Sequence, residues 1–290
     1  MATKTSAEAA AWLTQTVRDY VNLSPENNLQ KDLPEKAFGD PLVGFSNGAD
    51  PLWEDYKEHV GPFHLMPIDI FKDAFPAVSV PSTDLTVISW ILPQTDATKT
   101  DNRKESQWPA ERWARGRIFG ELFNNKVRKH LVAELAAAGI EAVASTDSPL
   151  WSTKASETYG FASTWSERHA AFASGLGTFG LCDGLITPRG KAMRTGSVIA
   201  NIKADPTQRP YTDHQEYCLF FTEGSCGQCI PRCPVNALSA EGHDKINCRA
   251  YLKPKTADYV KANFGFEGYG CGLCQTGVPC ESKIPTADDL

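Results

Sequence analysis

Eight of the nine cysteines lie between Cys218 and Cys280, near one end of a 290-residue chain. Cys226, Cys229 and Cys233-Pro234 form the densest run. Cys218 precedes it, and Cys248, Cys271, Cys274 and Cys280 follow. Thiolates bind iron–sulfur clusters, and each [4Fe–4S] cluster takes four. Eight cysteines make two complete sets, so this part of the chain is expected to fold as loops wrapped around two metal centres. The odd cysteine total argues against a disulfide framework.

The spacing can be compared with the bacterial ferredoxin run C-x2-C-x2-C-x3-C-P, whose fourth cysteine reaches the other cluster. Cys226-x2-Cys229-x3-Cys233-Pro234 matches its last three ligands, with the first displaced to Cys218. Cross-over logic assigns Cys218, Cys226, Cys229 and Cys280 to one cluster. Cys248, Cys271, Cys274 and Cys233 then hold the other. A pair of four-cysteine zinc sites is the alternative, since these use similar C-x2-C knuckles. Cys182 is left over and reads as a small buried hydrophobe.

The cysteine count changes sharply near residue 205, which suggests two domains, 1–205 and 206–290. The net charge is −6 and neither half is basic, against a nucleic-acid binder. Met1 to Gln15 lacks a basic region followed by an apolar core. No apolar run approaches a membrane span. A cytoplasmic location is therefore expected.

Thr5 to Glu8 reads as a capping box ahead of a helix through about Tyr20. The stretch 22–81 reads as long ordered loops. Its Trp53, Tyr56, Phe63, His64 and Phe71 either pack a loop layer on the core or wall a planar ligand. Leu85 to Leu92 is β-branched and apolar, a buried strand. Gln94 to Pro109 is polar and loop-like. Glu111 to Ala138 has helical periodicity, with Gly139 as its cap. Residues 140–144, 184–187 and 197–202 read as strands, and 167–173 as a helix. Helices alternating with strands imply an α/β or α+β first domain.

Glu167 to Gly180, with Gly175-Leu-Gly177-Thr-Phe-Gly180 at its end, followed by Gly184-Leu-Ile-Thr187, resembles a known superfamily. Its members are epoxyqueuosine reductases and reductive dehalogenases, the iron–sulfur corrinoid reductases. Cys248-Arg-Ala-Tyr-Leu252 and Gly270-Cys271-Gly-Leu-Cys274 are similar to that family's second cluster segment. The resemblance implies an α+β chain: a nitroreductase-like α/β corrinoid-binding domain, then a small double-cluster bacterial ferredoxin-like domain. It implies two [4Fe–4S] clusters and cobalamin acting on a small organic substrate. Gly175, Gly177 and Gly180 would approach the macrocycle, and Arg115 and Arg117 would hold its periphery or the substrate. An external low-potential donor such as ferredoxin or flavodoxin would supply electrons.

The departures from the family pattern are specific. The epoxyqueuosine reductase motif Y-x-R-G-[KR]-D-Y-H aligns with Trp113-Ala-Arg115-Gly116-Arg117-Ile118-Phe119-Gly120, which lacks the Asp-Tyr-His end. The family's V-D-T-G acid aligns with Thr146, with Asp147 one residue late. Asp147 is the first candidate proton donor, and Tyr159, in an insertion covering about 151–165, is the second. Glu167 and His169 lie on the helix entering the glycine motif. The chain ends just beyond the cysteines, without the family's C-terminal tRNA-binding repeats, which argues against tRNA as the substrate. The alternative function is a corrinoid-free iron–sulfur electron-transfer protein.

Overall fold

The strand Thr86–Pro93 is buried along its whole length and forms the centre of the molecule. The computed structural model describes residues 4–30 and 35–290. Thr86–Pro93 pairs antiparallel with Leu42–Asn47 on one side and with Met193–Ala200 on the other. Ala142–Ala144 completes a four-stranded sheet beyond Met193–Ala200.

Alternate residues of a strand face opposite sides, so a strand buried on both needs apolar side chains throughout. Ile88, Trp90 and Leu92 pack on one side against Leu13, Val17, Phe123, Val127 and Leu131. Those residues come from the helices Ser6–Leu23 and Glu111–Ala137. Val87, Ile91 and Ile199 face the other side, among Trp53, Phe71, Trp165 and Ala170. Each large apolar side chain so buried contributes about 1.5–3 kcal/mol.

Local signals account for the helix ends. Thr5 and Glu8 form the expected capping box, and the helix continues to Leu23. Gly139 takes φ 78° after the long helix, a conformation glycine adopts without steric cost.

Three expectations need correction. The stretch read as loops contains the edge strand Leu42–Asn47 and the helices Leu52–His59 and Pro67–Ala74. Its aromatics pack the core, with the Trp53 and Trp165 rings stacked at 5.1 Å. Residues 31–34 of that stretch lie outside the described residues. The polar stretch after Gln94 contains the helix Asp96–Lys104, capped by Thr95. It lacks an apolar face because it buries Thr98, Lys99 and Asn102 in polar contacts. The strand expected at 184–187 is Leu185–Ile186, and it pairs with Thr178–Phe179 outside the main sheet. The 151–165 insertion forms a hairpin of Thr153–Ser156 and Gly160–Ser163.

The cysteine-rich segment has little regular structure: the short helices Leu219–Thr222, Lys245–Ala250 and Thr256–Phe264, and one small hairpin. It is braced on the Asp96–Lys104 helix. Arg232 donates to the carbonyls of Glu105 at 2.8 Å and Asn102 at 3.2 Å. Lys99 Nζ reaches Ser282 Oγ at 2.9 Å, and Arg103 pairs with Glu281. Among the described residues, no helix is long and apolar enough to cross a membrane.

Candidate functional site

A small cavity of about 20 Å³ lies among Cys218, Cys226, Cys229 and Cys280. These are the four cysteines that cross-over spacing assigns to one cluster. Cys218 stands at the start of the Leu219–Thr222 helix, and its carbonyl accepts from Phe221 N and Thr222 N. Leu181, Ile186, Phe220 and Val278 supply apolar walls. Burial pushes the Cys229 thiol up to about 12, so an unliganded thiol there stays protonated. Soft sulfur donors around an apolar void suit an iron–sulfur group.

Of the other four cysteines, Cys248, Cys233 and Cys274 lie within electrostatic reach of Cys271. Cys271 is pushed up to about 12, by burial first and then by the neighbouring Cys248 and Cys233. Cys271 in turn lies near Cys274. Asn102 Nδ2 fixes this loop by donating to the Cys271 carbonyl at 3.2 Å. His243 bonds Asp183 at 3.0 Å. Burial works against its charge, but Asp183 and Cys248 hold it up at about 9. Among the described residues no group of three or more His, Cys, Asp or Glu side chains is placed to hold a single metal ion.

Cys182 is buried as expected, but its surroundings are not simply apolar. Lys191 Nζ donates to its sulfur at 3.4 Å. A hydrogen bond from Cys274, with the nearby ammonium, holds the Cys182 thiol well below its usual range despite burial. No sequence signal pointed to Lys191.

The positions assigned to a corrinoid are engaged within the protein. A Cβ at Gly177 would stand 2.1 Å from the Ile186 carbonyl oxygen. One at Gly175 would meet the Gln208 carbonyl oxygen at 3.0 Å, and one at Gly180 the Ile186 side chain at 3.1 Å. The glycines therefore serve close packing of the chain on itself and form no open cradle. Arg115 pairs with Glu111 at 2.8 Å and lies over the Phe266 ring at 4.9 Å. Arg117 donates to Tyr269 Oη at 2.9 Å. Arg194, and then burial, pull Arg117 down to about 10. These five residues do not fit a corrinoid as they stand.

The two proton-donor candidates occupy different surroundings. Asp147 is exposed, at the end of the turn Ser145–Asp147. Tyr159 is half-buried under the Lys245 ammonium, 4.1 Å from its ring, on the helix that carries Cys248.

Next to Ser145 lies a polar network that sequence reasoning did not assemble. Ser145 Oγ and Ser197 Oγ are 2.9 Å apart, and Trp165 Nε1 donates to Ser197 at 3.1 Å. Arg128, 2% exposed, bridges Glu167 and Glu121 at 3.2 Å each. Arg194 Nε adds a 3.0 Å bond to Glu121. Burial opposes the charge of Glu121, but Arg194 and Arg128 hold it down at about 2. Burial holds Glu167 above its usual range, and its Oε2 has no partner among the described residues. Thr146 Oγ1 and both ring nitrogens of His64 are likewise buried without partners. Glu167 is thus a buried acid of this network, and the exposed Asp147 lies outside it. Glu121 and Arg194 carried no motif that could have announced them.

No protein-family model matches the chain. The epoxyqueuosine reductase of Bacillus anthracis is 34% identical over 119 residues, covering 39% of this chain and 29% of that protein. That of Listeria monocytogenes is 33% identical over 122 residues, again 39% and 29%. Among solved structures, epoxyqueuosine reductase from Bacillus subtilis aligns with 96% of this chain and 68% of that one. Its TM-score is 0.47 at 17% identity. A reductive dehalogenase described as supporting B12-dependent dehalogenation covers 86% and 31%, with TM-score 0.48 at 12% identity. The sequence matches bear out the resemblance to epoxyqueuosine reductases: the chain is similar to them over about two fifths of its length. Its curated relatives are epoxyqueuosine reductases, matched over less than a third of their length.

Proposed function

We propose that the chain is an iron–sulfur oxidoreductase in which residues 206–290 form a double-cluster, ferredoxin-like unit serving the α/β unit of residues 1–205. The observation that carries this reading is the cavity lined by Cys218, Cys226, Cys229 and Cys280. Spacing alone had grouped those four. Cys233, Cys248, Cys271 and Cys274 hold the second [4Fe–4S] cluster in this reading. When bound, such clusters pass single electrons. The chain's own part is to keep the thiols together, exclude water with Leu181, Ile186 and Phe220, and brace the loops through Arg232 and Asn102. The electrons come from an external donor such as ferredoxin or flavodoxin, in the cytoplasm.

The similarity to epoxyqueuosine reductases supports cobalamin as the acceptor, and the acidic net charge of −6 favours a small organic molecule over tRNA as substrate. Asp147 and Tyr159 remain the proposed proton donors from sequence, and the buried Glu167 joins them. No step is derived through a corrinoid, because Gly175, Gly177 and Gly180 pack against the chain itself. That same packing favours a second reading, a corrinoid-free iron–sulfur electron-transfer protein.

Anaerobic purification with cobalamin supplied, followed by iron, cobalt and zinc analysis and a visible spectrum, tests all of this. About eight irons per chain are expected from two four-iron clusters. One cobalt per chain would favour the corrinoid reductase. Full iron without cobalt would favour the electron carrier, and zinc in place of iron would overturn both.

A further inference from the structure

Among the described residues, Lys191 is the one charged side chain lining the four-cysteine cavity. It is 2% exposed. Its Nζ donates to Cys182 Sγ at 3.4 Å, and among the described residues no carboxylate pairs with it. Cys229 and Cys280 line the same cavity as Lys191, and Cys274, of the other set, packs against the cluster that holds Cys182.

The backbone holds it there. Lys191 N donates to the Cys280 carbonyl at 2.9 Å, and Ala192 N to the Glu281 carbonyl at 3.2 Å. Gly190, at φ 76°, permits this clasp, since a Cβ there would stand 2.2 Å from the Glu281 carbonyl oxygen. A lysine usually runs its stem to water and keeps its charge solvated. Here the stem is fixed inward. A buried ammonium is strongly disfavoured unless groups that can carry negative charge stand beside it, and those beside this one are thiols.

We propose that Lys191 is the built-in counter-charge of the iron–sulfur group in the four-cysteine cavity and raises that group's reduction potential. The inference rests on the iron–sulfur reading above. Reduction adds negative charge, and a fixed positive charge in low-dielectric surroundings favours the reduced form. The second cluster feels the charge less, because none of its four thiols lines the cavity that Lys191 lines.

The test compares Lys191→Met and Lys191→Arg with the wild type, all prepared anaerobically. Iron content and both midpoint potentials are read by redox titration followed by electron paramagnetic resonance. With iron retained, Lys191→Met is expected to move one potential clearly negative and the other less, while Lys191→Arg stays near wild type. Unchanged potentials in iron-replete Lys191→Met would overturn the proposal. If Lys191→Met loses iron, retention in Lys191→Arg supports a role for the charge, and equal loss in both refutes it. A wild type that takes up no iron removes the iron–sulfur reading itself, and this inference with it.

Discussion

Asn102 donates from Nδ2 to the carbonyl of Cys271 at 3.2 Å, joining a helix that precedes the cysteine-rich segment to the loop between two of its thiols. The same side chain donates to Thr276 Oγ1 at 3.0 Å and accepts from Ala110 N at 3.0 Å. Removing it leaves buried partners unsatisfied, at a cost of about 1–3 kcal/mol. Asn102→Leu is expected to lower the urea midpoint and to speed iron loss to a chelator. A variant that matches wild type in both measurements would show that this brace carries no load.

The two thiol sets predict separable losses. Cys280→Ser and Cys248→Ser should each remove one cluster, leaving about half the iron. Cys182→Ser should keep all of it. Iron analysis with the spectrum checks this, and full iron in Cys280→Ser would reject the cross-over assignment.

Arg128 links Glu121 and Glu167 at 2% exposure. Removing one member of a buried ionic group strands the others, typically at about 3–5 kcal/mol. Arg128→Met should therefore be strongly destabilised in chemical denaturation. Glu167→Gln should lose less, because burial already favours the neutral acid there. Similar losses for the two would contradict this ordering.

His64 is held down to about 4 by burial, against an ordinary value of 6.5. Between those pH values the unfolded chain binds a proton that the folded chain refuses. Stability should thus be full above about pH 6.5 and fall as pH drops toward 4, by about 1.4 kcal/mol per pH unit. His64→Phe should flatten that slope. Denaturation midpoints at pH 7 and pH 5 for both proteins decide it, and parallel slopes would exclude His64 as the cause.

The features legible in advance had local causes. Thr5 and Glu8 cap the first helix from three residues apart. The β-branched, apolar run around Ile88 reads as a buried strand, and it is one. Less legible was the Asp96–Lys104 helix, because its inward residues are polar and their partners lie far along the chain. The edge strand Leu42–Asn47 was hidden among aromatics and glycines, and its pairing with Thr86–Pro93 supplies the order its own sequence does not.

The sequence by itself determined the chemistry of the donors. Thiol identity and the short spacing around Cys226 are properties of a local segment, legible without the fold. Only the tertiary structure decided what stands beside those thiols. Lys191 reaches Cys182 and Cys280, and Arg128 meets Glu167, across separations that no local pattern records. The energy of a buried charge depends on the groups folded around it, and those are assembled only when distant segments pack together.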